Sequence, residues 1–382
     1  MKTKFGRFVS GRIFPVCFCL FLIFTAVYIT CRTGSAVRQL WDLHVYGVVA
    51  VLFLVLFLLR WIFQKQRFFS PLRRFWLRIE GIVLCFLFYF IFSLVCCDVV
   101  GLIVFLFYSN SIVFAVSWCI AAGISLILMV YGAVHARRLK TVRYEVRLGK
   151  EEHAYRMVLL SDLHIGVFVG AAYIRKVVCR INSLLPDMVV IAGDIFDNGY
   201  AEECGRLDTV SALLRTLRAK DGVYAVLGNH DPAFNDERMQ RFFQEANIRL
   251  LYNEVKPCPL FDLVGRNDLL HYRRYSEIRT PLAELLPQGT PRQKPVVVLD
   301  HNPEGINEAV DCGADLVLCG HTHKGQFFPL TFFTRLSHEK NHFYGQSAFG
   351  KTQAVISAGT GYFQLPIRIG TNSEIVEIVL KI

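Results

Sequence analysis

Met157-Val158-Leu159-Leu160-Ser161-Asp162-Leu163-His164 is an apolar run that ends in a carboxylate and an imidazole, and the pattern recurs along the chain. Met188 to Ala192 leads into Gly193-Asp194-Ile195-Phe196-Asp197, and Val223 to Leu227 leads into Gly228-Asn229-His230-Asp231. Val296 to Leu299 precedes Asp300-His301-Asn302-Pro303, and Leu316 to Cys319 precedes Gly320-His321-Thr322-His323. Short apolar runs bounded by turn residues read as strands buried on both faces. Loops leaving such strands sit on a rigid scaffold, so five of them bring carboxylates, imidazoles and an amide together. Singly, each tetrapeptide is an ordinary turn. Five in order, each after a buried strand, describe a metal-binding cluster.

One residue separates Asp162 from His164, so in an extended segment both side chains leave the same face and grip one cation. Asp194 has two oxygens with spare lone pairs and is a candidate bridge between two cations. Asn229 adds an amide oxygen, and His301, His321 and His323 add imidazole nitrogens. Oxygen and nitrogen donors without thiolate suit manganese, iron or zinc. Asp197 reads as a partner of a ligand rather than as a helix cap. Lys324 reads equally as a phosphate contact and as a solvated lysine. Arg266 is a second candidate for phosphate, whereas Arg273 and Arg274 read as facing solvent.

Helical segments fall between the strands: Tyr173 to Leu185, Cys204 to Ala219, Asp236 to Ala246, and Pro303 to Asp311 with proline in its first turn. Ala354 to Ser357 and Ile375 to Leu380 look like closing strands. The alternation gives an α/β domain, and pattern alone suggests a doubly wound sheet without distinguishing one sheet from two.

The first 140 positions have a different composition. Ile13 to Thr30, Leu43 to Phe63, Ile79 to Phe107 and Ile112 to Val134 are apolar enough to cross a bilayer of about 30 Å as helices. Asp98, inside the third run, is placed at an interface. Basic residues gather before the first run (Lys2, Lys4, Arg7, Arg12), between the second and third (Arg60 to Arg78) and after the fourth (Arg137, Arg138, Lys140, Arg143). The positive-inside tendency puts these regions and both termini in the cytoplasm. The expected division is 1–140 as a four-helix transmembrane region, 141–153 as a basic linker and 154–382 as the catalytic domain.

The net charge of +11 invites a nucleic-acid reading, but residues 1–150 hold 18 Lys or Arg and 4 Asp or Glu. Subtracting these from totals of 42 and 31 leaves 24 basic and 27 acidic residues in 151–382, a net of −3. The excess charge flanks the apolar runs, where it meets lipid headgroups, and no nucleic-acid partner is expected. The 12 cysteines form no Cys-x-x-Cys pair and read as reduced thiols.

The ordered motifs resemble the Asp-x-His, Gly-Asp-x-x-Asp, Gly-Asn-His-Asp/Glu, His and Gly-His-x-His blocks of the calcineurin-like metallophosphoesterase family, over about 154–382. Gly320-His321-Thr322-His323-Lys324-Gly325-Gln326 and Leu365-Pro366-Ile367-Arg368-Ile369-Gly370 look like its membrane-anchored branch, the transmembrane metallophosphoesterases. The resemblance implies a four-layer αββα sandwich. It also implies one metal on Asp162, His164, Asp194 and His323, and a second on Asp194, Asn229, His301 and His321. A hydroxide between metals about 3.5–4 Å apart would attack phosphorus in line. His230 would protonate the leaving oxygen, oriented by Asp231. Relatives often have an acid near Asn267, so a ligand role there is doubtful.

The expected activity is hydrolysis of a phosphodiester or pyrophosphate in a lipid-linked or amphiphilic substrate. A tethered nucleotide phosphodiesterase and a non-catalytic membrane sensor are the alternatives. Phe327, Phe328, Leu330, Phe332, Phe333 and Leu336 read as a long loop, either packed or forming an apolar wall for a lipid tail.

Overall fold

The computed structural model describes residues 13–65, 70–149, 154–197, 207–286 and 294–382. Among the described residues the chain divides into two compact units, one running to Val134 with Leu365–Ile367, the other His135–Gln364 with Arg368–Ile382.

The first unit contains helices Ile13–Trp41, Tyr46–Lys65, Ser70–Tyr108 and Ile112–Ala136. Among the described residues, three helices carry apolar spans long enough for a bilayer: Leu20–Trp41, Pro71–Tyr108 and Ile112–Ala136. The expected fourth is shorter. It lies in the helix Tyr46–Lys65, of which the stretch with described side chains, Tyr46–Leu59, spans less than a roughly 30 Å core at about 1.5 Å per residue. The first span also extends beyond the expected Thr30, which brings Arg32 into the helix. There the Arg32 guanidinium meets Asp98 at 2.6 and 2.8 Å, and the Tyr28 hydroxyl donates to the same carboxylate at 2.5 Å. A charge inside an apolar helix is costly unless it is paired, and Asp98 is paired in this way.

In the second unit, one mixed sheet contains β1 (Leu139–Arg147), β2 (Ala154–Leu160), β3 (Met188–Ala192), β4 (Val223–Val226), β5 (Arg249–Leu250) and β12 (Ser373–Lys381), in the order β1-β12-β2-β3-β4-β5. The other contains β6 (Glu254–Pro257), β7 (Asp262–Gly265), β8 (Val296–Leu299), β9 (Leu316–Cys319), β10 (Gly345–Phe349) and β11 (Thr352–Ile356), in the order β10-β11-β9-β8-β7-β6. The single doubly wound sheet that the pattern suggested is therefore replaced by two sheets.

Side-chain alternation along the strands makes the layers. Met157, Leu159, Val190, Ala192 and Val226 face Leu263, Val297, Leu299, Leu316, Leu318 and Val355 in a core between the sheets. Their neighbours Val158, Leu160, Val189, Ile191 and Ala225 turn outward against helices that contribute Ile174, Val177, Val210, Phe242 and Phe243. Val264, Val296, Val298, Val317 and Ala354 do the same on the far side, with Ile306 and Ala309. Burial on both faces explains why the strands read as unbroken apolar runs, and the result is an αββα sandwich. Helix Glu237–Ala246 is bounded as its sequence suggests. The Asp236 side chain accepts from the amides of Arg238 and Met239, and Asn247 closes the helix in the left-handed region.

Residues 141–147 of the expected basic linker belong to a strand. β1 pairs in parallel with β12 from Leu139↔Ser373 to Arg147↔Lys381. From Val142 onward the more buried Val142, Tyr144 and Val146 alternate at a period of two with the exposed Arg143, Glu145 and Arg147, which suits an edge strand. β2, β3 and β4 are mutually parallel neighbours, as are β8 and β9, so within each sheet the motif loops emerge from the same edge.

Candidate metal centre

Two groups of ligand atoms collect at these strand ends: Asp162, His164 and His323, and Asp194, His301 and His321, each with its donor atoms within 4.8 Å of one another. In the first, His164 Nε2 lies 3.0 Å from His323 Nε2, which is 3.4 Å from Asp162 Oδ1. In the second, His301 Nε2 lies 3.3 Å from Asp194 Oδ2 and 3.2 Å from His321 Nδ1. Asn229 Oδ1 is 3.3 Å from His301 Nε2. Asp194 Oδ2 also lies 3.7 Å from His164 Nε2, so this carboxylate stands between the groups.

The donor set fits divalent cations. Two ligand atoms about 2.1 Å from one metal at a right angle stand roughly 3 Å apart, the spacing between the His164 and His323 nitrogens. His301 directs Nε2 inward by placing Nδ1 2.8 Å from the Ala192 carbonyl. Without a metal the protons divide unevenly. Burial, reinforced by Asp194, pushes Asp162 up to about 7, while burial pushes His164 and His321 down to about 3. Burial opposes the charges on Asp194 and His301, yet their mutual attraction holds Asp194 well below the ordinary carboxylate range and His301 well above the ordinary imidazole one.

The backbone here is not the extended segment expected from Asp-x-His spacing. Asp162, His164, Asp194, His321 and His323 all have φ between 47° and 70°. Left-handed turns, with Leu163 buried between the first two, aim the ligands inward. Gly228 and Gly320 permit close approach. A methyl group at Gly320 would stand 2.5 Å from Asp162 Oδ2, and one at Gly228 would overlap the Asp194 carboxylate.

His230 is partly exposed; its amide donates to Asp194 Oδ1 at 2.9 Å, and its ring is 5.5 Å from that of His164. Asp231, expected to orient it, acts on the backbone instead. Its two oxygens accept from the amides of Phe196 at 2.8 Å and Gly228 at 2.7 Å, fixing the loop that carries Asn229 and His230. Asp197 Oδ1 is 3.9 Å from His164 Nδ1, beside the ligand but beyond hydrogen-bond reach.

Arg266, the second candidate for phosphate, is already partnered within the protein. It is fully buried, donates to both Glu308 oxygens at 2.8 and 2.9 Å, and reaches the Thr280 carbonyl at 3.1 Å. Asn267 Nδ2 is held by Tyr252, Glu277 and the Ile278 carbonyl, so this amide has a structural task. Arg274, read as solvent-facing, is exposed and donates to the Asn229 carbonyl at 3.1 Å. Lys324 Nζ stands 4.0 Å from the centre of the Tyr344 ring.

Two residues were not found from sequence. Phe363 lies against the site, its ring 4.5 Å from that of His230 and 5.1 Å from that of His164. Arg368 is fully buried and donates to the carbonyls of Gly361 at 2.6 Å and Gly359 at 3.2 Å, with weaker 3.5 Å contacts to the His323 carbonyl and Thr371 Oγ1. Neither had a local signal beyond the Leu365 to Gly370 segment.

Residues 155–325 match the family described as Calcineurin-like phosphoesterase. A Danio rerio protein named "Transmembrane protein with metallophosphoesterase domain" is 33% identical over 285 residues, 69% of this chain and 62% of that protein. Its Bos taurus namesake is 31% identical over 284 residues, with the same coverage. "Phosphodiesterase YaeI" of Escherichia coli is 28% identical over 233 residues, 58% of this chain and 80% of that protein. The chain thus spans about 62% of the length of the first two relatives.

Proposed function

We propose, because the chain carries a calcineurin-like phosphoesterase domain, that it is a membrane-anchored, two-metal phosphoesterase hydrolysing a phosphodiester or pyrophosphate bond in a lipid-linked or amphiphilic substrate. The observation that carries the reading is the pair of facing ligand groups, with Asp194 between them and His230 at the mouth. Asp162, His164, Asp194 and His323 would hold one ion, and Asp194, Asn229, His301 and His321 the other. Bound there, manganese, iron or zinc would activate water and offset charge on the phosphoryl oxygens.

The side chains supply the remaining steps. The Asp194 carboxylate fixes the His230 backbone by its 2.9 Å hydrogen bond, so the imidazole is placed beside the ligands. His230 gives a proton to the leaving oxygen. Arg274, fastened to the Asn229 carbonyl, offers a cation to a non-bridging phosphate oxygen. Phe363 excludes water on the side of His164 and His230.

The amphiphilic substrate is supported by the three bilayer-length helices and by the names of the transmembrane relatives, and the diester by the name of the Escherichia coli relative. Arg137, Arg138, Lys140 and Arg143 follow the last apolar helix and favour a cytoplasmic domain with four crossings and both termini inside. A tethered nucleotide phosphodiesterase is favoured by one observation, the partly exposed Phe363 ring beside His230, which offers a face for a base.

The test is turnover by the purified full chain with manganese. His230→Ala is expected to lose about 10²–10⁴-fold on substrates with an alkoxide leaving group. A smaller loss is expected on bis-para-nitrophenyl phosphate, whose leaving group needs no proton. Equal losses on both would remove His230 as the acid, and no turnover of any phosphoester by the wild type would remove the enzyme reading.

A further inference from the structure

The segment from Phe327 to Leu336 is neither a loop nor a packed wall. Phe327 is buried, but Leu330–Ser337 is a helix without a buried residue. Phe328 is 59% exposed, Leu330 38%, Phe332 56%, Phe333 43% and Leu336 43%. Among the described residues of the second unit, the only other exposed large apolar side chains are Leu185 and Ile278, each isolated. Five such side chains within nine positions form a patch, and exposed apolar patches mark interaction surfaces.

We propose that Leu330–Ser337, with Phe328, is a monotopic helix that inserts its apolar side chains into the surface of the bilayer to which the chain is anchored. Two observations select lipid as the occupant. Only Arg137 and Arg138 separate the bilayer-length helix Ile112–Ala136 from β1, so a membrane is always tethered to this unit. The rim of the patch carries Arg335, His338 and Lys340 against Glu339, an excess of positive charge suited to anionic headgroups.

The helix is fastened to the metal loop. The Phe328 amide donates to the Ile369 carbonyl at 2.9 Å, and the Thr331 amide to the Phe327 carbonyl at 3.2 Å. Gln326 is held to Phe363 in both directions, its Oε1 accepting from the Phe363 amide at 2.7 Å and its Nε2 donating to the Phe363 carbonyl at 3.1 Å. Four positions separate the metal ligand His323 from Phe328. Insertion would bring the metal centre to the headgroup plane, where the phosphate of an amphiphile lies. The surface rests on membrane anchorage and stands apart from turnover, so loss of the proposed activity would leave it in place.

Photocrosslinking in the full chain tests it. Phe332→p-benzoylphenylalanine, reconstituted in vesicles of phosphatidylcholine and phosphatidylglycerol and irradiated, is expected to give a phospholipid adduct detected by mass. The same substitution at Leu185 is the comparison and is expected to give several-fold less. Crosslinking of position 332 mainly to a second copy of the chain or to other parts of its own chain would overturn the proposal. An unreacted or water-quenched probe, or equal lipid yields from the two positions, would also overturn it.

Discussion

Asp194→Asn is expected to lower kcat/KM by about 10²–10⁴-fold, equivalent to about 3–5 kcal/mol, the usual cost of removing one partner from a buried charged cluster. No side chain in the centre has more tasks. Its Oδ1 accepts the His230 amide, and its Oδ2 lies between His301 at 3.3 Å and His164 at 3.7 Å. An amide is isosteric but neutral, and it presents its NH₂ group towards either the imidazole side or the His230 amide. Both ligand groups and the acid should therefore suffer together. Metal content per chain, measured by mass spectrometry after dialysis, is expected to fall along with turnover. Activity within a few-fold of wild type at full metal occupancy would show that Asp194 is not shared between the sites.

Arg368→Met is the second large effect, and it should appear first in stability. The guanidinium is fully buried and holds the carbonyls of Gly359 and Gly361, while the amides of Thr360 and Gly361 donate to Ser161 at 2.8 Å and to Asp162 at 2.9 Å. Arg368 thus braces a loop that in turn braces the first metal loop. Methionine fills a similar volume but leaves at least two buried carbonyls without a donor, at about 1–3 kcal/mol each. A loss of about 3–5 kcal/mol corresponds to a fall in apparent Tm of roughly 6–20 °C for a domain of this size. Because the braced loop carries Asp162, metal affinity should also fall by about 10–100-fold. Thermal unfolding and a metal titration of the same preparation check both parts. An unchanged Tm would mean that water replaces the guanidinium without loss.

The buried strands and the donor-rich turns that follow them were legible because they rest on two strong local signals, whereas the division into two sheets came only with the family resemblance. One is the unbroken apolar run that burial on both faces requires, as in Met157 to Leu160. The other is the donor-rich turn that follows it. β5, β6 and β7 lacked the first signal, since they are short or, like Glu254–Pro257, only half-buried. β1 was hidden by its arginines, because an edge strand beside a run of basic residues reads as a linker. The partners of Arg266 and Arg274 are ones that sequence does not carry. The partner of the first is Glu308, 42 positions away, and the partner of the second is the Asn229 carbonyl, 45 positions away. For Asp231, adjacency to His230 suggested a side-chain contact, while the hydrogen bonds its carboxylate accepts come from the backbone amides of Phe196 and Gly228.

The left-handed backbone at Asp162, His164, Asp194, His321 and His323 sets this chain's stability against its chemistry. A non-glycine residue held there costs on the order of 1–3 kcal/mol, and five such positions add to a sizeable fraction of what keeps a domain folded. Glycine would relieve that cost at each position and would remove a ligand in doing so. Metal ions that bind only the folded arrangement would return the deficit as binding free energy. Removing the ion would then lower the stability of the fold as well as any turnover that depends on it.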